Sequence, residues 1–286
     1  MKIILGTSNF GAPYGISNPR KKLSTNEIKK ILKIAKVNKI SFLDTAYNYK
    51  NSEKIIGKFT NTDDFRIITK LPKIKNNLSL IESYIKKSLK RLRRKKLYAV
   101  LVHSIEDLNS PNLKKILHEL NLFKKKKLIK KIGVSVYKVD NLNKIIKKNK
   151  IDIVQFPSSI FDLRFLNTNL LSKLKMRKIE ILVRSIFLQG VIFLNSKKLK
   201  KKFKKDSKKI IEFKENLKND RDKMINYCLS FINNYKDIDG IVLGIKEPKN
   251  LLQIISNNKR VSIKNVNKYA INNENILIPY NWKRIE

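Results

Sequence analysis

The chain has 286 residues, with 65 lysines and arginines against 23 aspartates and glutamates, a formal net charge of +42 at pH 7. Hydrophobic residues make up 42%, enough for a packed core, which excludes intrinsic disorder as the main state. Eight glycines exclude collagen, the single cysteine (Cys228) excludes a disulfide scaffold, and no apolar run reaches the ~18 residues of a membrane span. The start, Met1-Lys2-Ile3-Ile4-Leu5-Gly6, turns polar too soon for a signal peptide. The expectation is a soluble, reduced, cytoplasmic protein with no membrane contact and no metal site.

So basic a chain raises the question of nucleic acid. Phosphate readers favour arginine forks and aromatics interleaved with basic residues. Here 54 of the 65 basic residues are lysine. They fall on the polar faces of helical stretches, as in Ile85-Lys86-Lys87-Ser88-Leu89-Lys90. This reads as a solvated coat that steers anionic ligands, with no nucleic-acid partner expected.

In chain order, short runs rich in Ile, Val and Phe alternate with helical spacing. Candidate strands are Ile3–Gly6, Ser41–Ala46, Phe65–Leu71, Leu97–His103, Lys131–Val136, Ile151–Phe156, Ile179–Ser185 and Gly240–Gly244. Ser24-Thr25-Asn26-Glu27 resembles a capping box opening a helix to Val37. Leu78–Arg94 is amphipathic, Pro111 sits in the first turn of the next helix, and Asp222–Tyr235 is amphipathic again. Pro248 starts the last regular helix, with Leu251, Leu252, Ile254 and Ile255 expected to face inward. Asn195–Lys209, with nine lysines from Lys197 to Lys209, reads as a long loop with room for a short helix. Eight strands alternating with helices at this length predict an α/β fold, a (β/α)8 TIM barrel, as a single domain over 1–286. The runner-up, a doubly wound sheet, normally carries G-x-G-x-x-G after its first strand. Leu5-Gly6-Thr7-Ser8-Asn9-Phe10-Gly11 lacks that spacing.

Chemistry in a barrel collects where strands end. Three successive strand ends carry a titratable group: Asp44, with Tyr49 five residues on, then Lys70, then His103. Singly, each has a structural reading: a helix cap, a snorkelling lysine, a satisfied core histidine. Placed alike in three consecutive units, they predict one shared pocket. His118, mid-helix, has no assigned role, and Cys228 and Trp282 read as packing residues.

At this point the sequence resembles a known family. Phe42-Leu43-Asp44-Thr45-Ala46, Tyr49 and Asn51-Ser52-Glu53-Lys54-Ile55-Ile56-Gly57 look like the signature of the aldo-keto reductases. Leu5-Gly6-Thr7, Phe10-Gly11, Thr69-Lys70, Val102-His103, Ile132-Gly133-Val134-Ser135, Val154-Gln155, Arg184-Ser185, Gln189-Gly190 and Gly244 keep the family's order over nearly the whole chain. The resemblance implies a (β/α)8 barrel using NADPH, less often NADH, with Asp44, Tyr49, Lys70 and His103 as its catalytic tetrad.

The side-chain chemistry fits that implication. Hydride transfer to a carbonyl leaves negative charge on oxygen, which a nearby acid must meet. Tyr49 is the expected general acid, its pKa lowered by Lys70, with Asp44 orienting Lys70 and His103 positioning the carbonyl. By resemblance, Ser135 and Gln155 lie near the nicotinamide carboxamide, although Val136 stands where the family often has Asn. Arg184 occupies a position that often stacks an aromatic on the nicotinamide. Stacking, a swing to phosphate and a surface ion pair all remain open for it. Ser185, Gln189 and Gly190 would lie over the pyrophosphate, and Gly244 leads into a helix N-terminus suited to an anion. Lys246 is the candidate for the 2′-phosphate of NADP, with Glu247 opposing it, so NADPH is favoured over NADH. The Lys197–Lys209 segment is either a flap over the cofactor or a solvated insertion.

The expected activity is an NAD(P)H-dependent oxidoreductase acting on an aldehyde, ketone or sugar-type carbonyl, or on the matching alcohol. The alternatives are a non-catalytic nicotinamide-binding barrel and a charge-led nucleic-acid binder.

Overall fold

Eight parallel strands pair in sequence order and close on themselves: β1 (Lys2–Gly6), β2 (Phe42–Asp44), β3 (Arg66–Lys70), β4 (Leu97–Val102), β5 (Ile129–Ser135), β6 (Ile153–Pro157), β7 (Glu180–Arg184) and β8 (Gly240–Gly244). The computed structural model describes residues 1–13, 23–61, 63–74, 77–166, 169–257, 261–263 and 265–282. The barrel expected from the alternation of elements is present. Its register runs from Leu5 opposite Leu43 to Gly6 opposite Gly244.

The barrel interior is built in layers two residues apart, because successive strand side chains alternate between faces. Ile4, Phe42, Ile68, Ala99, Leu101, Ile153, Leu182 and Val242 form one inner apolar cluster. One step toward the N-terminal ends lies a polar floor. There Glu180 accepts from Lys2 (3.3 Å), Lys131 (2.7 Å) and the Tyr98 hydroxyl (2.7 Å). One step toward the C-terminal ends, the same alternation takes Ile4 to Gly6, Phe42 to Asp44 and Ile68 to Lys70. It also takes Leu101 to His103, Ile153 to Gln155, Leu182 to Arg184 and Val242 to Gly244. The intervening residues, such as Leu5, Leu43, Ile67, Val100 and Ile181, pack outward against the helices.

The helix Thr25–Val37 carries the expected capping box in full: Ser24 accepts from the Glu27 amide while the Glu27 carboxylate receives the Ser24 amide. Leu80–Leu92 is two residues shorter at each end than its amphipathic pattern, closing on Arg93 in the left-handed region. Three expectations are corrected. Pro111 is not in the first turn of its helix, which is Leu113–Lys125 with Asn112 as N-cap; a preceding short helix, Ile105–Asn109, ends just before the proline. In the helix Pro248–Ser256, Leu251 and Ile254 are buried, but Leu252 is 50% exposed, because it is turned about 100° from Leu251 around the axis. The lysine-rich stretch is helical: Ser196–Phe203, capped by Asn195, then Ser207–Asn216. Leu199 and Phe203, one turn apart, anchor it, a signal obscured by the lysines between them. Among the described residues no helix is long and apolar enough to cross a membrane.

Candidate active site

A cavity of about 590 Å³ opens at the C-terminal mouth of the barrel. It brings together Asp44, Tyr49, Lys70 and His103, and also Gln155, Arg184, Ser185, Gln189, Gly190, Gly244 and Lys246. Ser135 does not line it. It lies buried one strand behind, in register with Gln155.

Lys70 and Asp44 form a buried ion pair, Nζ to Oδ2 2.5 Å, and Lys70 also donates to the Thr45 carbonyl at 2.9 Å. The ammonium lies 5.3 Å from the centroid of the Tyr49 ring. The loop carrying Tyr49 is fastened by hydroxyls. Ser52 Oγ donates to the Thr7 carbonyl (3.0 Å), and Thr7 Oγ1 donates to the Asp44 carbonyl (3.0 Å). Behind β3, the buried Glu53 carboxylate accepts from Thr69 (2.9 Å) and Ser88 (2.8 Å), fixing the residue next to Lys70. Gly11 is required by close approach: a Cβ there would lie 2.0 Å from the Tyr49 carbonyl oxygen. This gives a packing reason for the Phe10-Gly11 and Asn51-Ser52-Glu53 motifs.

The electrostatics differ from the sequence expectation at one point. Burial, and then the Asp44 charge, push the Tyr49 phenol well above its ordinary value; Arg184 pulls the other way. The direction is therefore opposite to the expected lowering by Lys70, because burial and the Asp44 charge outweigh the cations nearby. Burial also holds Lys70 below its ordinary value, opposed by Asp44. Loss of solvent, with the charges of Lys70 and Arg184, brings His103 down to about 3, so its imidazole is neutral at pH 7.

Two buried polar atoms on adjacent strands have no partner among the described residues: Ser135 Oγ and Gln155 Oε1. Gln155 Nε2 donates to Asp44 Oδ1 at 2.8 Å. A carboxylate only accepts, so the amide is held with its oxygen turned elsewhere. An unsatisfied amide oxygen on the cavity wall complements the N–H of a primary carboxamide. At the other side of the mouth, Gly244 is exposed, and a Cβ there would meet nothing within 4 Å. The bare backbone leaves room for a close-lying ligand. Ser185 (φ 64°), Leu188 (φ 46°), Gln189 (φ 53°) and Gly190 (φ 90°) hold the wall between in the left-handed region. For the three non-glycines this costs about 1 kcal/mol or more each, a strain that concentrates at ligand sites. These features fit a nicotinamide dinucleotide.

Lys246 lines the cavity, and burial, reinforced by the Arg221 charge, brings it down to about 8. Glu247, expected to oppose a phosphate, also lines the cavity, with its carboxylate bonded by Lys249 (3.5 Å) and by the Asn250 amide (3.2 Å). Arg184 forms no ion pair among the described residues; its guanidinium lies 4.0 Å from the Tyr137 ring centroid and bonds the Val136 carbonyl at 3.3 Å. The surface ion pair left open for it is therefore not present. None of Lys197 to Lys209 lines the cavity, which opposes the flap reading.

Sequence reasoning missed Tyr137, Phe193, Arg221 and Asn250 on the cavity wall. Tyr137 follows β5 by two residues and could have been found by its place at a strand end. Arg221, stacked 4.1 Å over Phe193, comes from an unrelated helix start and had no local signal. Cys228 is buried in the core as expected. Trp282 packs against Phe203 at 5.6 Å and donates to the Ile276 carbonyl at 3.0 Å.

Comparison with solved structures finds the same fold in aldo-keto reductases. One, from Bacillus halodurans in its holo form, is 15% identical with a TM-score of 0.69, covering 94% of this chain and 90% of that one. Another, a thermostable aldo-keto reductase solved with the inhibitor epalrestat, is 20% identical with a TM-score of 0.69, covering 92% of this chain and 91% of that one. No curated protein sequence matches the chain. Among protein families, the aldo/keto reductase family matches residues 2–270. The chain thus belongs to the aldo/keto reductase family of carbonyl oxidoreductases.

Proposed function

We propose that the protein is an NAD(P)H-dependent reductase of an aldehyde, ketone or sugar-type carbonyl, or a dehydrogenase of the matching alcohol. The observation that carries this reading is the convergence of the Asp44–Lys70 ion pair, Tyr49 and His103 on one cavity beside the unpaired Gln155 oxygen.

A reduced nicotinamide, when bound, supplies the hydride that the carbonyl carbon accepts. Gln155 Oε1 would hold its carboxamide, with Ser135 in the layer behind it. Ser185, Gln189, Gly190 and Gly244 would hold its pyrophosphate, and Lys246 the 2′-phosphate, which favours NADPH over NADH. The remaining steps belong to the chain's own groups. The neutral His103 imidazole makes no hydrogen bond among the described residues, and it orients the carbonyl by donating to the oxygen. Tyr49 donates its hydroxyl proton to that oxygen as charge develops. The raised phenol remains fully protonated at neutral pH. An alkoxide is more basic than a phenolate, so the transfer is downhill. Solvent then reprotonates the phenolate, while the Lys70–Asp44 pair holds the floor of the site beside the ring.

The test is fluorescence titration with NADPH and NADH, followed by a carbonyl panel read by loss of reduced-nicotinamide absorbance. Saturable NADPH binding with turnover of at least one carbonyl supports the reading. Binding without any turnover would leave a non-catalytic barrel, and no binding would remove the reading.

A further inference from the structure

We infer that Arg184 is a carboxylate subsite, and that the substrate is a carbonyl compound carrying a carboxylate a few atoms from the reacting carbon. The substrate class rests on the reductase reading above; the anion subsite itself does not.

Arg184 is the β7 member of the inward layer that also supplies Asp44, Lys70, His103 and Gln155. Its guanidinium does not lean toward β8, where Lys246 and Arg221 gather. It reaches back across β6 to the segment after β5, over the Tyr137 ring at 4.0 Å and within 3.3 Å of the Val136 carbonyl. Tyr137 is itself held edge-on by Tyr280, with centroids 5.2 Å apart, so the platform under the guanidinium is fixed. The ring contact occupies no N–H of the group, which leaves donors for a forked acceptor. Among the described residues only Nη2 has an acceptor, the Val136 carbonyl.

Among the described residues no acid pairs with this charge. The Asp44 carboxylate is taken by Lys70 and Gln155. Glu247 pairs with Lys249, and Glu274 with Lys138 and Arg164. The Arg184 charge reaches the reacting groups, depressing Tyr49, Lys70 and His103 together, which places it at the catalytic end of the cavity. A partly buried guanidinium without a counter-ion among the described residues, lining the same cavity as Tyr49 and His103, selects a ligand that brings the anion with it. The forked geometry matches the two coplanar oxygens of a carboxylate. A phosphate presents the same charge, and is separated from it by experiment.

The test compares matched substrates in the wild type, Arg184→Gln and Arg184→Lys. The pairs are 4-oxobutanoate against butanal, and glyceraldehyde 3-phosphate against glyceraldehyde. The expected wild-type kcat/KM ratio of 4-oxobutanoate to butanal is about tenfold or more, from a charge-assisted forked bond. Arg184→Gln brings that ratio near one, and Arg184→Lys leaves it between. Any loss common to both substrates cancels in the ratio. A wild-type ratio near one, or a ratio unmoved in Arg184→Gln, overturns the proposal. If NADPH affinity weakens while the ratio holds, Arg184 belongs to the cofactor. A preference confined to the phosphorylated pair overturns the carboxylate assignment. Calorimetric titration of butanoate against butanamide, with and without NADPH, reads the subsite without turnover. Tighter butanoate binding that disappears in Arg184→Gln sustains the subsite even if no carbonyl is reduced, an outcome that separates it from the reductase reading. Equal binding of the two compounds overturns it.

Discussion

Gln155 Nε2 donates to Asp44 Oδ1 at 2.8 Å across the barrel mouth, so one carboxylate holds both the ammonium of Lys70 and the orientation of an amide on β6. The amide oxygen is thereby presented, unpaired, beside Ser135. Replacing Gln155 with Met removes this acceptor and keeps the volume. NADPH affinity should fall about tenfold, one hydrogen bond to a buried polar group, with the fold intact. Fluorescence titration checks it; an unchanged Kd would detach Gln155 from the carboxamide.

Breaking the Asp44–Lys70 pair should be costly for stability as well as for rate. Lys70→Met leaves a buried carboxylate uncompensated and should destabilise by about 3 to 5 kcal/mol. The double variant Asp44→Asn, Lys70→Met should recover much of that loss in urea unfolding while remaining inactive. Recovery of neither would mean that the pair serves more than charge balance.

Tyr49→Phe should keep NADPH binding and lose turnover by about 10² to 10⁴, the range for a positioned general acid. Because the phenol is raised rather than lowered, kcat at saturating cofactor should be flat from pH 6 to 9. His103, at about 3, should contribute no inflection in that range either. An apparent pKa between 7 and 8 in kcat would show that cofactor binding restores the influence of Lys70 on the phenol.

Lys246 sits at about 8, below the ordinary lysine value, so its charge is present below that pH and is lost as pH rises through it. NADPH affinity should weaken by up to about tenfold from pH 7 to 9, the change in charged fraction for a pKa of 8, while NADH affinity stays level. Lys246→Met should flatten the NADPH curve. A pH-independent NADPH Kd in the wild type would remove Lys246 from the 2′-phosphate.

Gly11→Ala should lose activity without contacting any ligand. Its Cβ would meet the Tyr49 carbonyl at 2.0 Å and must push that loop away from Lys70. Turnover should drop sharply with a smaller change in Tm; normal turnover would show that the loop tolerates displacement.

The chain of residues determined the barrel and its active layer, because covalent geometry alternates strand side chains and every inward position two past an apolar one points into the mouth. Ile68 to Lys70, Leu101 to His103 and Ile153 to Gln155 are all readable that way. The capping box before Thr25–Val37 was equally local. The helices in Asn195–Lys209 were not, since two anchors among nine lysines give little periodicity. Tertiary structure alone decided how the charges pair. Lys70 pairs with Asp44, and burial together with the Asp44 charge keeps Tyr49 protonated. Arg184 lies over Tyr137 instead of finding an acid, and Arg221 arrives from a distant helix start to add to the burial that depresses Lys246. Charge and stacking act through space between strands, and no spacing along the chain encodes which neighbour a long side chain reaches.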